Sequence, residues 1–271
     1  MIRPARAPRL FLALGFAAIL AGGALAQQPA GEPFKPYPGQ PGRDVVWVPT
    51  PDSTVQKMLD VAKAVPSDYV IDLGSGDGRM VIAAAKRGIA GHGVEYNEKM
   101  VELATKLARE AGVSDKARFI QGDMYEADIS KATLLPLFLL TENLNVLRPK
   151  FLQLRPGVRI VSNGFRIDDW DHDEFHRAGG DCGQWCSVYL YIVPAQVAGE
   201  WMIGEAKLSL KQDVQKITGT LAGLPITDGK LNGAAISFSA GGVQYTGRVE
   251  GGEMRGEAKG GQAGSWSARR M

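Results

Sequence analysis

From residue 199 onward the chain has no histidine and no cysteine, and its few acids are scattered. A catalytic centre is therefore not expected in that part. The whole chain of 271 residues has only three His and two Cys. Its glycine-rich turn, Gly74-Ser75-Gly76-Asp77-Gly78, lacks the Lys and Ser or Thr that a nucleoside triphosphate loop needs; Arg79-Met80 stand there. A lasting excess of positive charge is also missing. The formal charge of +2 rests on the first 26 residues, which hold three Arg and no acid. Without those three, the 31 Lys and Arg become 28 against 29 Asp and Glu, so the net charge is −1. Nothing in that balance supports nucleic-acid binding. The apolar run 10–21 is short for a membrane span, and glycines at 15, 22 and 23 break it.

That same N-terminal segment matches a processing signal. Arg3, Arg6 and Arg9 precede the apolar run, and Ala24-Leu25-Ala26 is an A-x-A cleavage pattern. Residues 1–26 read as a secretory signal peptide cut after Ala26, with an uncleaved anchor as the rival. The expectation is a periplasmic or secreted protein with no stable membrane insertion after cleavage. Residues 27–46 carry Pro29, Pro33, Pro36, Pro38 and Pro41 and read as an extended linker.

Residues 47–195 alternate in pattern between strand and helix. Strands are expected at 70–73, 92–95, 118–121, 133–140, 158–162 and 188–193, with Pro136 awkward for a central strand. Helices are expected from the Pro51–Ser53 region to Pro66, and at 79–87, 98–111 and 142–154. This is the signature of an α/β fold, a doubly wound and mostly parallel Rossmann-like sheet. Residues 199–271 change texture to short alternating runs between glycines. They read as a small antiparallel β domain of about six or seven strands, a sandwich or small barrel.

Chemistry concentrates at the first strand and its turn. The glycines Gly74, Gly76 and Gly78 are spaced one residue too tightly for the dinucleotide fingerprint. Asp72 and Asp77 flank the turn, and acids there disfavour a pyrophosphate and suit a cationic ligand. S-adenosyl-L-methionine carries an ammonium and a sulfonium and no phosphate. Glu95 ends the second strand, where an acceptor-only carboxylate suits the two hydroxyls of a ribose. Asp123 follows the third strand, where it suits an adenine amino group, with Met124 against the ring. Each has a bland rival: Glu95 as a solvated strand end, Asp123 as a helix cap.

These residues, in this order, resemble class I (seven-strand) S-adenosylmethionine-dependent methyltransferases. Asp72-Leu73-Gly74-Ser75-Gly76-Asp77-Gly78-Arg79 matches that family's first motif, Glu95 its second-strand acid and Gly122-Asp123 its adenine-side acid. A narrower resemblance, to the group of the ATP synthase c-subunit lysine methyltransferase, rests on Val48-Pro49-Thr50-Pro51, the run from Gly78 to Gly88, Glu95-Tyr96-Asn97 and Ile160-Val161-Ser162-Asn163-Gly164-Phe165. The resemblance implies an exported bacterial version of the fold. It also implies S-adenosyl-L-methionine held by Asp72, Gly74, Ser75, Gly76, Gly78, Glu95, Asp123 and Met124, with Trp47 and Thr50 folded over it. The acceptor is expected to be an amine, a protein lysine or a small molecule. The alternative is a non-catalytic exported module whose β domain docks an envelope partner.

Methyl transfer needs alignment and an unprotonated nucleophile more than it needs many side chains. No Asn-Pro-Pro-Tyr-like tetrad follows the fourth strand, which argues against nucleobase amino groups as acceptors. Glu142 and Asn143 stand there instead and could orient an amine; the rival is a helix start with Thr141 as its cap. Asn163 and Phe165, after the fifth strand, could line a channel. The acidic run from Asp168 to Glu174 reads as a solvated loop that could also attract a lysine-bearing partner. His172, His176, Cys182 and Cys186 leave three readings open, a Cys182–Cys186 disulfide, free thiols or a metal site, and no metal is expected.

Overall fold

The computed structural model describes residues 34–261 and 264–271. The signal peptide expected at residues 1–26 and the first part of the linker lie outside the described residues.

The α/β part follows the expected alternation. Helix α1 (Asp52–Val61) precedes β1 (Tyr69–Leu73), α2 (Arg79–Lys86), β2 (Ala90–Glu95), α3 (Glu98–Glu110), β3 (Ala117–Gln121), β4 (Leu134–Leu137), α4 (Thr141–Phe151), β5 (Arg159–Asn163), β6 (Glu174–Arg177) and β7 (Ser187–Ile192). The seven strands lie in the order β3-β2-β1-β4-β5-β7-β6. The ladders joining β1 to β5 are parallel, and β7 runs antiparallel to both β5 and β6. Alternation along the strands separates two cores. Val70, Leu134 and Val161 pack under α1 and α2, whereas Ile71, Leu135 and Ile160 pack under α4. Burying each such side chain is worth about 1.5–3 kcal/mol.

Local chemistry sets the helix ends. Gly78, in the left-handed region at φ +79°, is the N-cap of α2. Asn97 caps α3 by accepting from Lys99 N. Helix α4 passes through Pro149, and Leu140 rather than Thr141 occupies its N-cap. Pro136 does sit inside β4. The ladder to β1 is confined to Val70↔Leu134, while four pairs join β4 to β5. A residue without an N–H fits a strand whose pairing on one side is that short.

In the acidic run Asp168, Asp169 and Asp171 are exposed, as a solvated loop requires, but its end departs from that role. It ends in the edge strand β6, which the sequence pattern did not reveal. Asp171 forms an ion pair with Lys216. Asp173 accepts from Ile192 N at 2.8 Å and from Asn232 Nδ2 at 3.0 Å, joining the sheet to the C-terminal part. Burial raises its pKa above the usual carboxylate value. The polar run is thus a joint between two parts of the chain. Asp173→Ala is expected to cost about 2 kcal/mol, by leaving two donors without their acceptor. Urea unfolding would measure this, and an unchanged midpoint would show that the joint contributes nothing.

The C-terminal part is a closed antiparallel barrel of eight strands, not six or seven. It comprises β8 (Gly199–Ile203), β9 (Ala206–Asp213), β10 (Lys216–Leu221), β11 (Leu224–Asn232), β12 (Ala235–Ala240), β13 (Val243–Glu250), β14 (Glu253–Lys259) and β15 (Gly264–Arg270). Closure leaves no unpaired sheet edge. Trp201, Leu208, Leu231, Phe238, Met254 and Trp266 are among the side chains that fill it. Gly247 faces Gly256 across β13 and β14, and a Cβ on Gly247 would lie 2.9 Å from Trp266. Gly247 makes room for the indole, whereas a Cβ on Gly256 would strike the Thr246 carbonyl.

Candidate functional site

The order of the sheet reverses between β1 and β4, and ligands of open α/β sheets bind beyond the carboxyl ends at such a point. The glycine turn lies there. Gly74 N and Ser75 N both donate to Val94 O, at 2.8 and 3.1 Å, which fastens the turn to β2. Gly76 N donates to Glu95 Oε2 at 2.9 Å, and Asn97 N donates to Glu95 Oε1 at 2.9 Å. The Glu95 carboxylate is therefore set by a backbone donor on each side, and each oxygen keeps further acceptor capacity.

Two adjoining pockets share Trp47, Val48, Gly74 and Phe138. Glu95, Asp123, Met124 and Leu139 line one; Asp72, Ser75, Gly76 and Asp77 line the other. Of the residues expected to hold a cofactor, Asp72, Gly74, Ser75, Gly76, Glu95, Asp123 and Met124 converge here. Gly78 is turned elsewhere, since a Cβ on it would overlap the Phe119 ring and lie 2.9 Å from Ala104 Cβ. Its role is packing beneath the turn.

The two acids of the turn have separate duties. Asp77 pairs with Arg79, Oδ2 lying 2.6 Å from Nη2, and Arg79 also donates to Thr50 O at 2.9 Å. Asp77 is thus committed to tying the turn to the segment before α1. Asp72 is buried, and among the described residues no Lys or Arg pairs with it. Burial first, then the charges of Glu95 and Asp77, raise its pKa well above the usual carboxylate range. Ser75 Oγ, beside it, is buried without a hydrogen-bond partner. An uncompensated carboxylate and an orphan hydroxyl in one pocket suit a ligand that brings a cation and hydrogen-bonding groups.

The Asp72 shift carries a stability prediction. A carboxyl that binds its proton more tightly when folded lowers stability as pH rises from its unfolded pKa, near 3.9, towards the folded one. Asp72→Asn is therefore expected to raise the melting temperature of the ligand-free protein at neutral pH and to weaken binding of a cationic ligand. Calorimetry of both proteins across pH 4–8 checks this; a lower melting temperature for the variant at neutral pH would count against the assignment.

Part of the stretch read as linker walls the cleft. Trp47 N donates to Gln40 O at 3.0 Å and Gly39 N to Trp47 O at 2.8 Å, folding residues 39–47 back on themselves. Arg43 Nη1 reaches Asp123 Oδ2 at 2.6 Å, and its guanidinium lies 4.6 Å from the centre of the Tyr96 ring. Asp123 Oδ1 accepts from Tyr125 N at 2.8 Å. That backbone bond, then Arg43, holds the Asp123 carboxyl below its usual pKa. Asp123 therefore combines the cap-like role with a place in the pocket. Nothing in a Pro- and Gly-rich stretch signals that Arg43 belongs to the site.

The three residues expected to act on the acceptor stand in different settings. Glu142 is exposed in the first turn of α4. Asn143 is buried and donates to Tyr125 Oη at 2.7 Å, leaving its own Oδ1 without a partner. Asn163 alternates with Val161 onto the α1 side of the sheet, and neither atom of its buried amide is paired. Of the four possible metal ligands, Cys182 and Cys186 form a disulfide. His176 Nε2 lies 2.8 Å from Glu174 Oε2, and His172 packs among the rings of Phe175, Tyr189 and Tyr191.

Comparison with known proteins agrees with this geometry. The model of the ANTKMT methyltransferase domain matches residues 72–174. A protein-lysine N-methyltransferase of Saccharolobus islandicus (strain REY15A) is 40% identical over 152 residues, covering 55% of this chain and 94% of the relative. The ATP synthase c-subunit lysine N-methyltransferase of Mus musculus is 32% identical over 128 residues, 47% of this chain and 50% of the relative. The chain thus spans nearly all of the archaeal relative and half of the mouse one. The crystal structure of an RNA methyltransferase from Salinibacter ruber in complex with S-adenosyl-L-homocysteine superposes with a TM-score of 0.52 at 42% identity, over 55% of this chain and 96% of that one. With the sheet order, the acid-flanked glycine turn and Glu95, these likenesses place the chain in the family of class I S-adenosyl-L-methionine-dependent methyltransferases that includes the protein-lysine N-methyltransferase of S. islandicus.

Proposed function

We propose that this protein methylates lysine side chains of a protein partner, using S-adenosyl-L-methionine. The observation that carries the reading is the buried, unpaired Asp72 in the same cleft as Glu95. When bound, the cofactor supplies a methyl group already activated by its sulfonium. Asp72 then compensates the ligand's positive charge, and Ser75 and the turn hold its amino-acid end. Glu95 accepts from the ribose, and Asp123 and Met124 take the adenine. An amine must arrive neutral to act as a nucleophile, so the carboxyl edge beside Asn163 has to strip water and align it. The lysine acceptor is supported by the names of the archaeal and mouse relatives. Export after cleavage at Ala26 is supported by the N-terminal pattern and by the Cys182–Cys186 disulfide, which suits an oxidising compartment.

The test incubates the purified protein with S-adenosyl-L-methionine carrying a deuterated methyl, beside an envelope-protein extract and, separately, total RNA. Labelled lysine by mass spectrometry is the expected result. Label in RNA alone would replace the lysine reading, and absence of cofactor binding by calorimetry would remove the enzymatic one. An alkaline phosphatase fusion reports the compartment.

A further inference from the structure

Three half-buried aromatic side chains meet at the carboxyl edge of the sheet from three separate segments: Phe138 after β4, Phe165 after β5 and Trp185 before β7. The ring centres of Phe138 and Trp185 are 5.0 Å apart, those of Phe165 and Trp185 5.8 Å, and those of Phe138 and Phe165 6.2 Å. Phe138 also lines both pockets of the cofactor cleft, so this cluster borders that cleft. Gly164 allows the approach. Its φ is +75°, and a Cβ there would lie 3.2 Å from the Trp185 ring.

Asn163 stands one position beyond the Leu137↔Ser162 pair, hence level with Phe138, and its buried amide has no partner. A buried core of hydrophobes has no need of either feature: rings left half open, and an orphan amide beside them. On the solvent side, Trp185 shares a cleft with Asp52, Asp181 and Arg79, where Arg79 lies 3.7 Å from Asp52 and Asp181 adds a further carboxylate.

We propose that Phe138, Phe165 and Trp185 form the acceptor wall of the active site, which selects a cationic alkylammonium through the faces of its rings. The proposal rests on the amine-methyltransferase reading above. A lysine side chain is an ammonium in solution and sheds one proton to water as it reaches the wall. Its neutral nitrogen then forms the new N–C bond while the methyl–sulfur bond breaks, and it leaves as a methylated ammonium. Both ammonium forms have a charge that aromatic faces attract, while methylation removes hydrogen-bond donors. Aromatic faces hold the cation without depending on those donors. Trp185 is the adjustable member, because it sits inside the Cys182–Cys186 loop. Its backbone N–H donates to Cys182 O at 2.9 Å, and its carbonyl accepts from Thr54 Oγ1 at 3.1 Å. The disulfide thus fixes the ring that closes the wall, and opening it frees that ring.

The probe is Nε-trimethyllysine, compared with its neutral tert-butyl carbon isostere, on the full protein saturated with S-adenosyl-L-homocysteine. Broadening of the methyl signals in NMR titrations reads binding, and calorimetry follows the affinity for S-adenosyl-L-homocysteine in the same samples. The cation is expected to bind at least about tenfold more tightly than the isostere, in line with a desolvated cation–π contact. Trp185→Leu is expected to abolish that difference, and Trp185→Phe to keep most of it. Both should leave S-adenosyl-L-homocysteine affinity within about threefold of wild type. Dithiothreitol should lessen the difference in the wild type and change nothing in Trp185→Leu. Equal binding of cation and isostere, or binding of neither while S-adenosyl-L-homocysteine binds, overturns the aromatic wall and leaves the methyltransferase reading standing. Failure to bind S-adenosyl-L-homocysteine at all would overturn both.

Discussion

Glu95→Ala is expected to weaken binding of S-adenosyl-L-methionine by about 100-fold, or about 2.7 kcal/mol. Two effects add. The ribose loses charge-assisted hydrogen bonds worth about 1.5–3 kcal/mol each. Gly76 N and Asn97 N lose the carboxylate that aligns them, so the turn is less well ordered when ligand arrives. Glu95→Gln keeps the length and one acceptor but loses the charge, and about tenfold weakening is expected there. Isothermal calorimetry distinguishes the two, with the melting temperature showing that each variant is folded. A dissociation constant for Glu95→Ala within about threefold of wild type would mean that the carboxylate only braces the turn.

The second large effect is on stability. Gly78→Ala is expected to destabilise the protein by about 3 kcal/mol or more, from two sources. A left-handed conformation at φ +79° costs a residue with a Cβ about 1–2 kcal/mol. The added methyl would also overlap Phe119 and crowd Ala104, and overpacking of that kind costs about 1–3 kcal/mol. Phe119→Leu in the same chain should recover part of the loss, since the two changes share one space. Urea unfolding of the two single variants and the double variant measures the coupling. If the double variant is simply the sum of the singles, Phe119 is not what Gly78 makes room for. Gly76→Ala tests a different surface, because its Cβ would lie 2.5 Å from Trp47 Nε1 at the cleft wall.

Three glycines in one turn thus have three neighbours, and this limits what spacing alone conveys. The pattern shows that the chain must turn tightly after a strand. Which glycine faces ligand and which faces core depends on the strand and helix that pack against them. The same holds for the acids. Asp72 and Asp77 look equivalent in the sequence, yet Arg79 neutralises Asp77 two residues away, while Asp72 is buried with no cation paired to it among the described residues.

What the sequence determined by itself was local or periodic. Alternation of strand and helix set the α/β class, and the acid-flanked glycines with Glu95 and Asp123 set the ligand. These signals lie within short stretches, where backbone preference and side-chain chemistry act without distant partners. Tertiary structure decided what depends on contacts far apart in the chain. Arg43 reaches Asp123 across 80 residues, and Asp173 joins β7 to Asn232 of the barrel. Trp185 meets Phe138 only because β7 runs antiparallel to β5 and brings its loop to the carboxyl edge. Edge strand β6 has no apolar alternation strong enough to announce it, and it forms because β7 offers a free edge. No local propensity encodes such meetings, because they are fixed when the sheet closes over its two cores and the loops at its carboxyl edge have one place left to go.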